Sequence, residues 1–544
     1  MSQSSLEQPV ALPFAGDFGG QFAPHAAKVI RDAADTWKVM RPGHRIDIIV
    51  RETTNVHWLG TNVREGRARF AWEDVSPGYV GFVSAGDMNP DAPAITLRIT
   101  VSAAPTKTHE SPEDAPWQVT RKLAPLYRIS PLAYETLRDG YDQYASWRDH
   151  RQLWHSLPYC DTIDRTAPEA ATGKRPAILI GMHFLEMGGA EKLGFDCVEW
   201  ALEAGLRVFV VAERTALHRR ADRLPDHPDV TFLRADIWLP HHDWGTWLEH
   251  FVAEENIRLV HIHHCGPLYG NLAHLRATAP HVEVIDSTHI IEYRNGGFPR
   301  ASGTWTNYID LHHVISNDLA TMYMMRFGVV DRVKLGRMLD GATQTPPEPN
   351  LTPGQDHLTL TFIGRLFYQK RPITAVLVLR SIHKWARRQG LDLKVNFVGD
   401  GPFLNEVQRL SAKWGLADVI TFHPGGADVP ALLSGSDILL LPSANEGLAL
   451  VCYEAIAHGA IPISTNVGGQ GELLPEELMT AQTPIRTVPQ MTKIVRKLWE
   501  DGRFLDQMVA KLHDNYARIS KDPTAREVLM PLYEAVAEGR SIRD

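Results

Sequence analysis

The chain is poor in cysteine, and its few cysteines form no pattern. Four in 544 residues, Cys160, Cys197, Cys265 and Cys452, lie without a CxxC spacing. That excludes a zinc-ribbon framework and a disulfide-stapled scaffold, and it points to reduced thiols in a cytosolic, cytoplasmic protein. Long uncharged runs are missing too. No segment approaches the roughly 20 apolar residues that a membrane-spanning helix needs, so no transmembrane segment is expected. The opening residues MSQSSLEQPVALPFAG lack the basic start and apolar stretch of a signal peptide. An excess of positive charge is also absent. Lys and Arg number 56 against 64 Asp and Glu, a formal net charge of −8, where a nucleic-acid binder would show a basic domain. No nucleic-acid partner is expected, and a whole-surface attraction to anionic membranes is disfavoured. What remains is ordinary: 44% apolar and 22% charged residues, in a chain long enough for two or three domains with cores of their own.

Three regions differ in texture. Residues 1–165 read as a β-rich accessory domain with a helical linker. Short β-type runs at Arg45–Arg51, Ala68–Trp72, Tyr79–Val83 and Ala94–Val101 are separated by turn-rich segments such as DMNPDAP. TKTHESPEDAP (106–116) reads as an exposed linker, and Tyr134 to Trp154 as an aromatic-laden helix. From Pro176 apolar runs alternate with helix-period segments: AILI, RVFVVAE, DVTFLRA, IRLVHIHH, VEVIDSTH and LHHVISN. Strands that are apolar throughout, joined by helices, mean a parallel sheet covered on both faces. This second domain spans 170–345. After the proline-rich PPEPNLTPGQ (346–355) the alternation starts again, giving a third domain over 346–544 whose terminal helices could cross back onto the second. The expected fold is therefore α/β: two Rossmann-like, doubly wound domains facing a cleft, behind a β-rich N-terminal domain.

The most informative stretch runs from Ile438 to Glu472. It carries two carboxylates, Glu446 and Glu454, the first in a loop after an apolar strand and the second two turns into the following helix. A helix starting just after Glu446 points its unpaired backbone N–H groups into the space that both carboxylates border. Such a place suits a ligand with phosphates in the middle and hydroxyls at both ends, which is the shape of a sugar nucleotide. Three more strand ends of the third region should face the same cleft. FIGRLFYQKRP supplies Gly364, Arg365 and Lys370, FVGDGP supplies Gly399 and Gly401, and TNVGGQGE ends at Glu472. Breaking a glycosidic bond to a diphosphate builds negative charge, and fixed cations with a helix N-terminus can stabilise it. Arg365 and Lys370 would do so as planar fork and point charge, each contact contributing about 1.5–3 kcal/mol.

These segments in this order, GRLxxxK (Gly364 to Lys370), VGDGP (Val398 to Pro402), PSxxEGLALVxxEAIAxG (Pro442 to Gly459) and NVGGxxE (Asn466 to Glu472), resemble glycosyltransferase family 4, the retaining enzymes of GT-B fold. The resemblance extends back to Pro176: GMHFLEMGGAEK is similar to the family's first glycine-rich loop, LVHIHH and VISNDLA to strands usually ending in His and Ser. It implies that Arg365 and Lys370 hold the diphosphate and Glu454 the ribose hydroxyls. Glu446 would contact the transferred sugar; Gly364, Gly399, Ser443 and the backbone of Gly447, Leu448, Ala449 and Leu450 would complete the donor site. Gly188 and Gly189 would form an acceptor or phosphate loop, and His289 would stand near the anomeric carbon. Arg365, Lys370, Glu446 and His289 are thus the candidate catalytic residues. The family works without a metal, the chain has no DxD pair, and no metal or cofactor is expected beyond the sugar nucleotide itself. The acceptor would be a hydroxyl on a glycan, a lipid-linked precursor or a protein, with a peripheral membrane contact left open. A non-catalytic scaffold and a sugar-nucleotide epimerase or hydrolase are the rival readings.

The chain departs from the family pattern in two places. Lys370-Arg371 stands where the family often has Lys-Gly, and KLGRMLDGATQ replaces a frequent Asn-Gly-Val-Asp segment. His261, His263 and His264 invite a metal reading. Strand alternation puts the first two on one face and the third on the other, so packing in the core or cleft is the expectation. HKWARRQ (383–389) reads as a solvated helix face rather than a lipid contact.

Overall fold

The computed structural model describes residues 24–53, 61–68, 78–102, 117–119, 122–151, 154–158, 165, 173–186, 188–216, 218–292, 296–339 and 345–543. The N-terminal region holds four strands, β1 (Arg45–Thr53), β2 (Thr61–Glu65), β3 (Tyr79–Gly86) and β4 (Ala94–Ser102). They form a mixed sheet in the order β2-β4-β1-β3, with β1 and β4 parallel. Three of the four expected strands are present. The expected run Ala68–Trp72 falls largely outside the described residues, as do the linker 106–116 and the first residues of the chain. Two elements were not anticipated: β2 and the helix Pro24–Met40, whose Ile30, Ala33, Ala34 and Trp37 are buried. Ile48 and Leu97 of this sheet and Trp37 of the helix share one apolar core with Leu179, Phe209 and Phe251 of the second region. The N-terminal sheet is therefore packed onto that region, which extends its core.

The second region is a seven-stranded parallel sheet. Its strands are β5 (Ala177–Met182), β6 (Arg207–Ala212), β7 (Val230–Leu233), β8 (Ile257–His263), β9 (Glu283–Thr288), β10 (Leu311–Val314) and β11 (Val333–Leu335). Their order is β11-β10-β9-β8-β5-β6-β7. Every residue of β5 and β9 is buried, as strands covered by helices on both faces must be. The third region has β12 (His357–Ile363), β13 (Asp392–Val398), β14 (Ile420–His423), β15 (Ile438–Leu441), β16 (Ile461–Thr465) and β17 (Met479–Thr480), in the order β14-β13-β12-β15-β16-β17. In both sheets the order reverses beside the first strand, and the loops after the flanking strands open a crevice there.

Two segments tie the regions together from opposite ends. The helix Ala525–Ala537 packs on the helix Gly189–Glu203, placing Leu529, Tyr533 and Val536 in the core with Ile178 and Val210. Its start is held by a capping box of Thr524 and Glu527 and by Arg337, whose guanidinium pairs with Asp522 at 2.7 Å. The second tie runs the other way. Trp117 stacks on Phe403 of the third region at 4.7 Å, and the helix Pro131–His150 packs against the helices Pro372–Gln389 and Pro484–Glu500. No helix among the described residues is long and apolar enough to cross a membrane.

Candidate active site

The four strand-end loops of the third region meet where the two sheets face each other. Lys370, in the turn after β12, donates from Nζ to Glu446 Oε1 at 2.6 Å, and both side chains are largely enclosed. Gly364 allows this approach. Its φ of +159° sits at the edge of the left-handed region, and a Cβ there would meet the Lys370 side-chain carbons at 3.1–3.3 Å. The glycines of VGDGP serve the same loop. A Cβ on Gly399 would lie 2.1 Å from the Gly364 carbonyl oxygen, and one on Gly401 would lie 2.6 Å from that of Leu366. Their bare backbones thus support the turn that carries Arg365 and Lys370.

Two helix N-termini face each other across the crevice. The helix Leu450–Ala457 begins after Ala449 and the helix Gly189–Glu203 after Gly188, neither with a side-chain cap. Gly189 stands 3.9 Å, measured from an added Cβ, from the Leu450 side chain. Amino ends of opposed helices make a place of positive potential, and an anion between them would be held from both sides. Arg365 joins them, its guanidinium 5.8 Å from the Phe184 ring in the loop after β5 and 5.1 Å from the Phe367 ring. Burial raises the Glu191 carboxyl in the first turn of the Gly189–Glu203 helix, while its own backbone N–H, Arg365 and His183 draw it down. Glu454 faces the same gap from the other side. Desolvation raises its carboxyl, and Lys192 and His458 oppose the rise. Phe184, Glu191 and Lys192 are site-lining residues that sequence reasoning passed over, although the glycine-rich GMHFLEMGGAEK that holds them had been singled out.

The back of the crevice is closed by backbone. A Cβ on Gly447 would fall 1.7 Å from the His289 carbonyl oxygen, and one on Gly468 1.8 Å from that of Glu446. Asn445 donates from Nδ2 to the Ile291 carbonyl at 2.7 Å. Glu472 latches the two domains: it accepts from the Asp318 backbone N–H at 3.2 Å and pairs with Arg337 at 2.7 Å. Gly447→Ala should therefore prise the loops of the two domains apart. We expect a lower melting temperature and at least a ten-fold loss of activity. A variant with unchanged melting and turnover would show that the contact has no weight.

His289 lies at the end of β9 with its imidazole buried, and neither ring nitrogen has a hydrogen-bond partner. It belongs to a cluster. His263 and His264 stand 6.0 and 4.9 Å from it, and His261 4.1 Å from His263, centroid to centroid. His261 and His263 share one side of β8, as alternation requires, and with Cys197 they bring potential ligand atoms within 4.8 Å of one another. Both ring nitrogens of His261 are already engaged, by the Tyr533 hydroxyl at 2.7 Å and Ser287 Oγ at 2.9 Å. Ser443, after β15, is also buried with an unpartnered hydroxyl.

Burial holds these imidazoles neutral: His264 is pushed down to about 3, His313 to about 4, and His261, His263 and His289 well below the ordinary value. In the unfolded chain each would titrate near 6.5. Their contribution to stability is thus complete above about 6.5 and is lost as the pH falls towards the folded-state values. Each costs about 1.4 kcal/mol per pH unit over that interval. The urea midpoint should drop steeply between pH 6.5 and pH 5, and a flat profile there would contradict this account of the cluster.

Two doubly wound parallel sheets, with loops at their carboxyl ends closing on a common crevice, define the GT-B fold. Residues 348–511 match the family model described as glycosyl transferases group 1. A D-inositol 3-phosphate glycosyltransferase of Salinispora tropica is 29% identical over 195 residues, covering 34% of this chain and 39% of the relative. The phosphatidylinositol N-acetylglucosaminyltransferase gpi3 subunit of Schizosaccharomyces pombe is 26% identical over 329 residues, covering 55% and 68%. The match thus spans well under two thirds of the first relative and about two thirds of the second. Among solved structures, sucrose-phosphate synthase from Thermosynechococcus elongatus aligns with a TM-score of 0.51 at 17% identity, over 67% of this chain and 99% of that one. At that identity the likeness concerns the fold.

Proposed function

We propose that the protein is a retaining, metal-independent glycosyltransferase that moves a hexose-type sugar from a nucleoside diphosphate to an acceptor hydroxyl on the cytoplasmic side. One observation carries this reading: Lys370 and Glu446 meet at 2.6 Å beside the uncapped start of the Leu450–Ala457 helix, opposite a second uncapped start at Gly189. The pyrophosphate lies between the two helix ends, with Arg365 and Lys370 receiving the charge that grows on it. Lys370 has three donors, so it can keep Glu446 while taking a phosphate oxygen. Glu446, oriented by that bond, accepts from a sugar hydroxyl. Glu454 accepts from the ribose hydroxyls.

The bond from the anomeric carbon to the phosphate oxygen breaks as the acceptor oxygen bonds to the same face. The acceptor's proton passes to the departing phosphate. No protein carboxylate is required as nucleophile. His289, kept neutral by burial, adds no positive charge beside the oxocarbenium-like sugar. Closure of the two domains excludes water and favours transfer over hydrolysis. The free, buried Cys197, Cys265 and Cys452 support a reducing compartment.

A thermal-shift panel of nucleoside diphosphates and sugar nucleotides tests the donor. The correct one stabilises by an amount set by its concentration over its dissociation constant, so saturation at a hundred-fold excess adds about 2.7 kcal/mol. No stabilisation by any member would remove the reading. Free sugar as the sole product would favour the hydrolase rival, and binding without turnover would favour the scaffold.

A further inference from the structure

The helix Pro131–His150 is built inside out. Three of its acids, Glu135, Asp139 and Asp149, are buried, the first two beside Arg371 of the third region, and Asp142 is half-buried. Its outer positions carry Leu137, Tyr141, Tyr144 and Trp147, which are 62%, 63%, 57% and 55% exposed. Spacings of four, three and three residues put them along one face. The reason lies on the inner face, where Asp139 must meet the Arg371 guanidinium, so the acidic stripe faces the protein and the aromatic stripe faces out.

The short helix before it, Ala124–Ile129, continues the pattern with Leu123 and Ile129 exposed at 45% and 84%. Across residues 122–151 the exposed charges are Lys122, Arg128, Arg148 and Arg151, and no acid there is exposed. On a chain of net charge −8 that is a local reversal of sign.

We infer that this face docks on an anionic lipid bilayer. Tyr and Trp suit the boundary between head groups and acyl chains, having an apolar body and a polar edge. Leu and Ile add buried apolar area, and the arginines meet anionic head groups. A carbohydrate would gain little from Leu137 and Ile129. A second copy of the chain would bring the same four cations face to face, which charge repulsion opposes. The face also borders the crevice. Arg138 of the same helix lies 4.8 Å from the ring of Tyr368, a partly exposed residue two positions before Lys370. Docking would thus hold the crevice mouth close to a lipid surface. The inference stands without the donor assignment, because it concerns a surface and its test uses no sugar nucleotide.

Co-sedimentation of the full chain with vesicles decides it. Phosphatidylcholine vesicles carrying roughly a third phosphatidylglycerol should bind the protein, and phosphatidylcholine alone should bind it poorly, with affinity falling as salt is raised. Arg148→Glu with Arg151→Glu should weaken binding by about five-fold or more per residue, at roughly 1 kcal/mol for each basic group near the surface. Tyr141→Ser, Tyr144→Ser and Trp147→Ser together should weaken it at least ten-fold. The three aromatic positions are exposed, so the serine variant should keep its melting temperature, whereas Arg148→Glu loses a pairing with Asp149 at 3.6 Å and should lower it slightly. Equal sedimentation with both vesicle types, or by wild type and variants, would overturn the inference. So would a dimer in sedimentation velocity that the serine variant abolishes while vesicles bind neither protein.

Discussion

Lys370→Met should lower kcat by about 10²–10³ at saturating sugar nucleotide, the loss expected when a fixed donor to a developing anion is removed. The same change leaves the enclosed Glu446 carboxylate without its partner at 2.6 Å, which costs about 3–5 kcal/mol of stability when such a pair is broken from one side. The two effects can be separated. Glu446→Gln combined with Lys370→Met leaves no orphaned charge, so the melting temperature should return most of the way while activity stays absent. A double variant that recovers turnover together with stability would mean that the pair is structural and the site lies elsewhere. Glu446→Gln alone should also abolish transfer, because an amide accepts only at its carbonyl and cannot hold both Lys370 and a sugar hydroxyl with comparable strength.

The second large effect is expected at the residue that follows Lys370. Arg371 adopts a left-handed conformation with φ +48°, is 3% exposed, and is held by Asp139 of the helix Pro131–His150 and by the Gln482 carbonyl. A position that glycine would occupy at little cost is thus filled by a strained arginine. The strain is tolerated because Arg371 satisfies an acid that this extra helix buries. Asp139→Ala should destabilise by about 3–5 kcal/mol, since it strands a buried guanidinium. Arg371→Gly should do nearly as much by stranding Asp139, less the roughly 1 kcal/mol or more of relieved backbone strain. Asp139→Asn with Arg371→Gly should be close to wild type in urea. Additive losses in that double variant would show that the two residues are not coupled. Lys370 immediately precedes Arg371, so Asp139→Ala should also raise KM for the sugar nucleotide.

Much of the site could be read along the chain because its parts are local. A glycine that must pass a carbonyl, a carboxylate just before a helix and a cation just after a strand each belong to one short segment. The strand-by-strand alternation of the second and third regions was legible for the same reason: strands buried on both faces are apolar at every position. The helix Pro24–Met40 was missed, although Ala26, Ala27, Ile30, Ala33, Ala34, Trp37 and Met40 follow a helical period, because alanine's weak hydrophobicity hid it.

Other features join residues more than a hundred positions apart, and no periodicity predicts them. Glu472 meets Arg337 and the start of the Asn317–Phe327 helix; Arg365 crosses to Phe184; Arg371 reaches back to Asp139. Arg371 is explained by its partner Asp139 on another element.

By itself the sequence determined the layered α/β architecture, the four loops at the crevice and the charges they carry, because these follow from side-chain period and local backbone geometry. Only the tertiary structure decided that Lys370 and Glu446 touch, that two helix ends oppose each other, and that one helix turns three acids inward and Tyr141, Tyr144 and Trp147 outward. Those outcomes depend on how separate elements pack against one another, and packing is a property of the assembled chain.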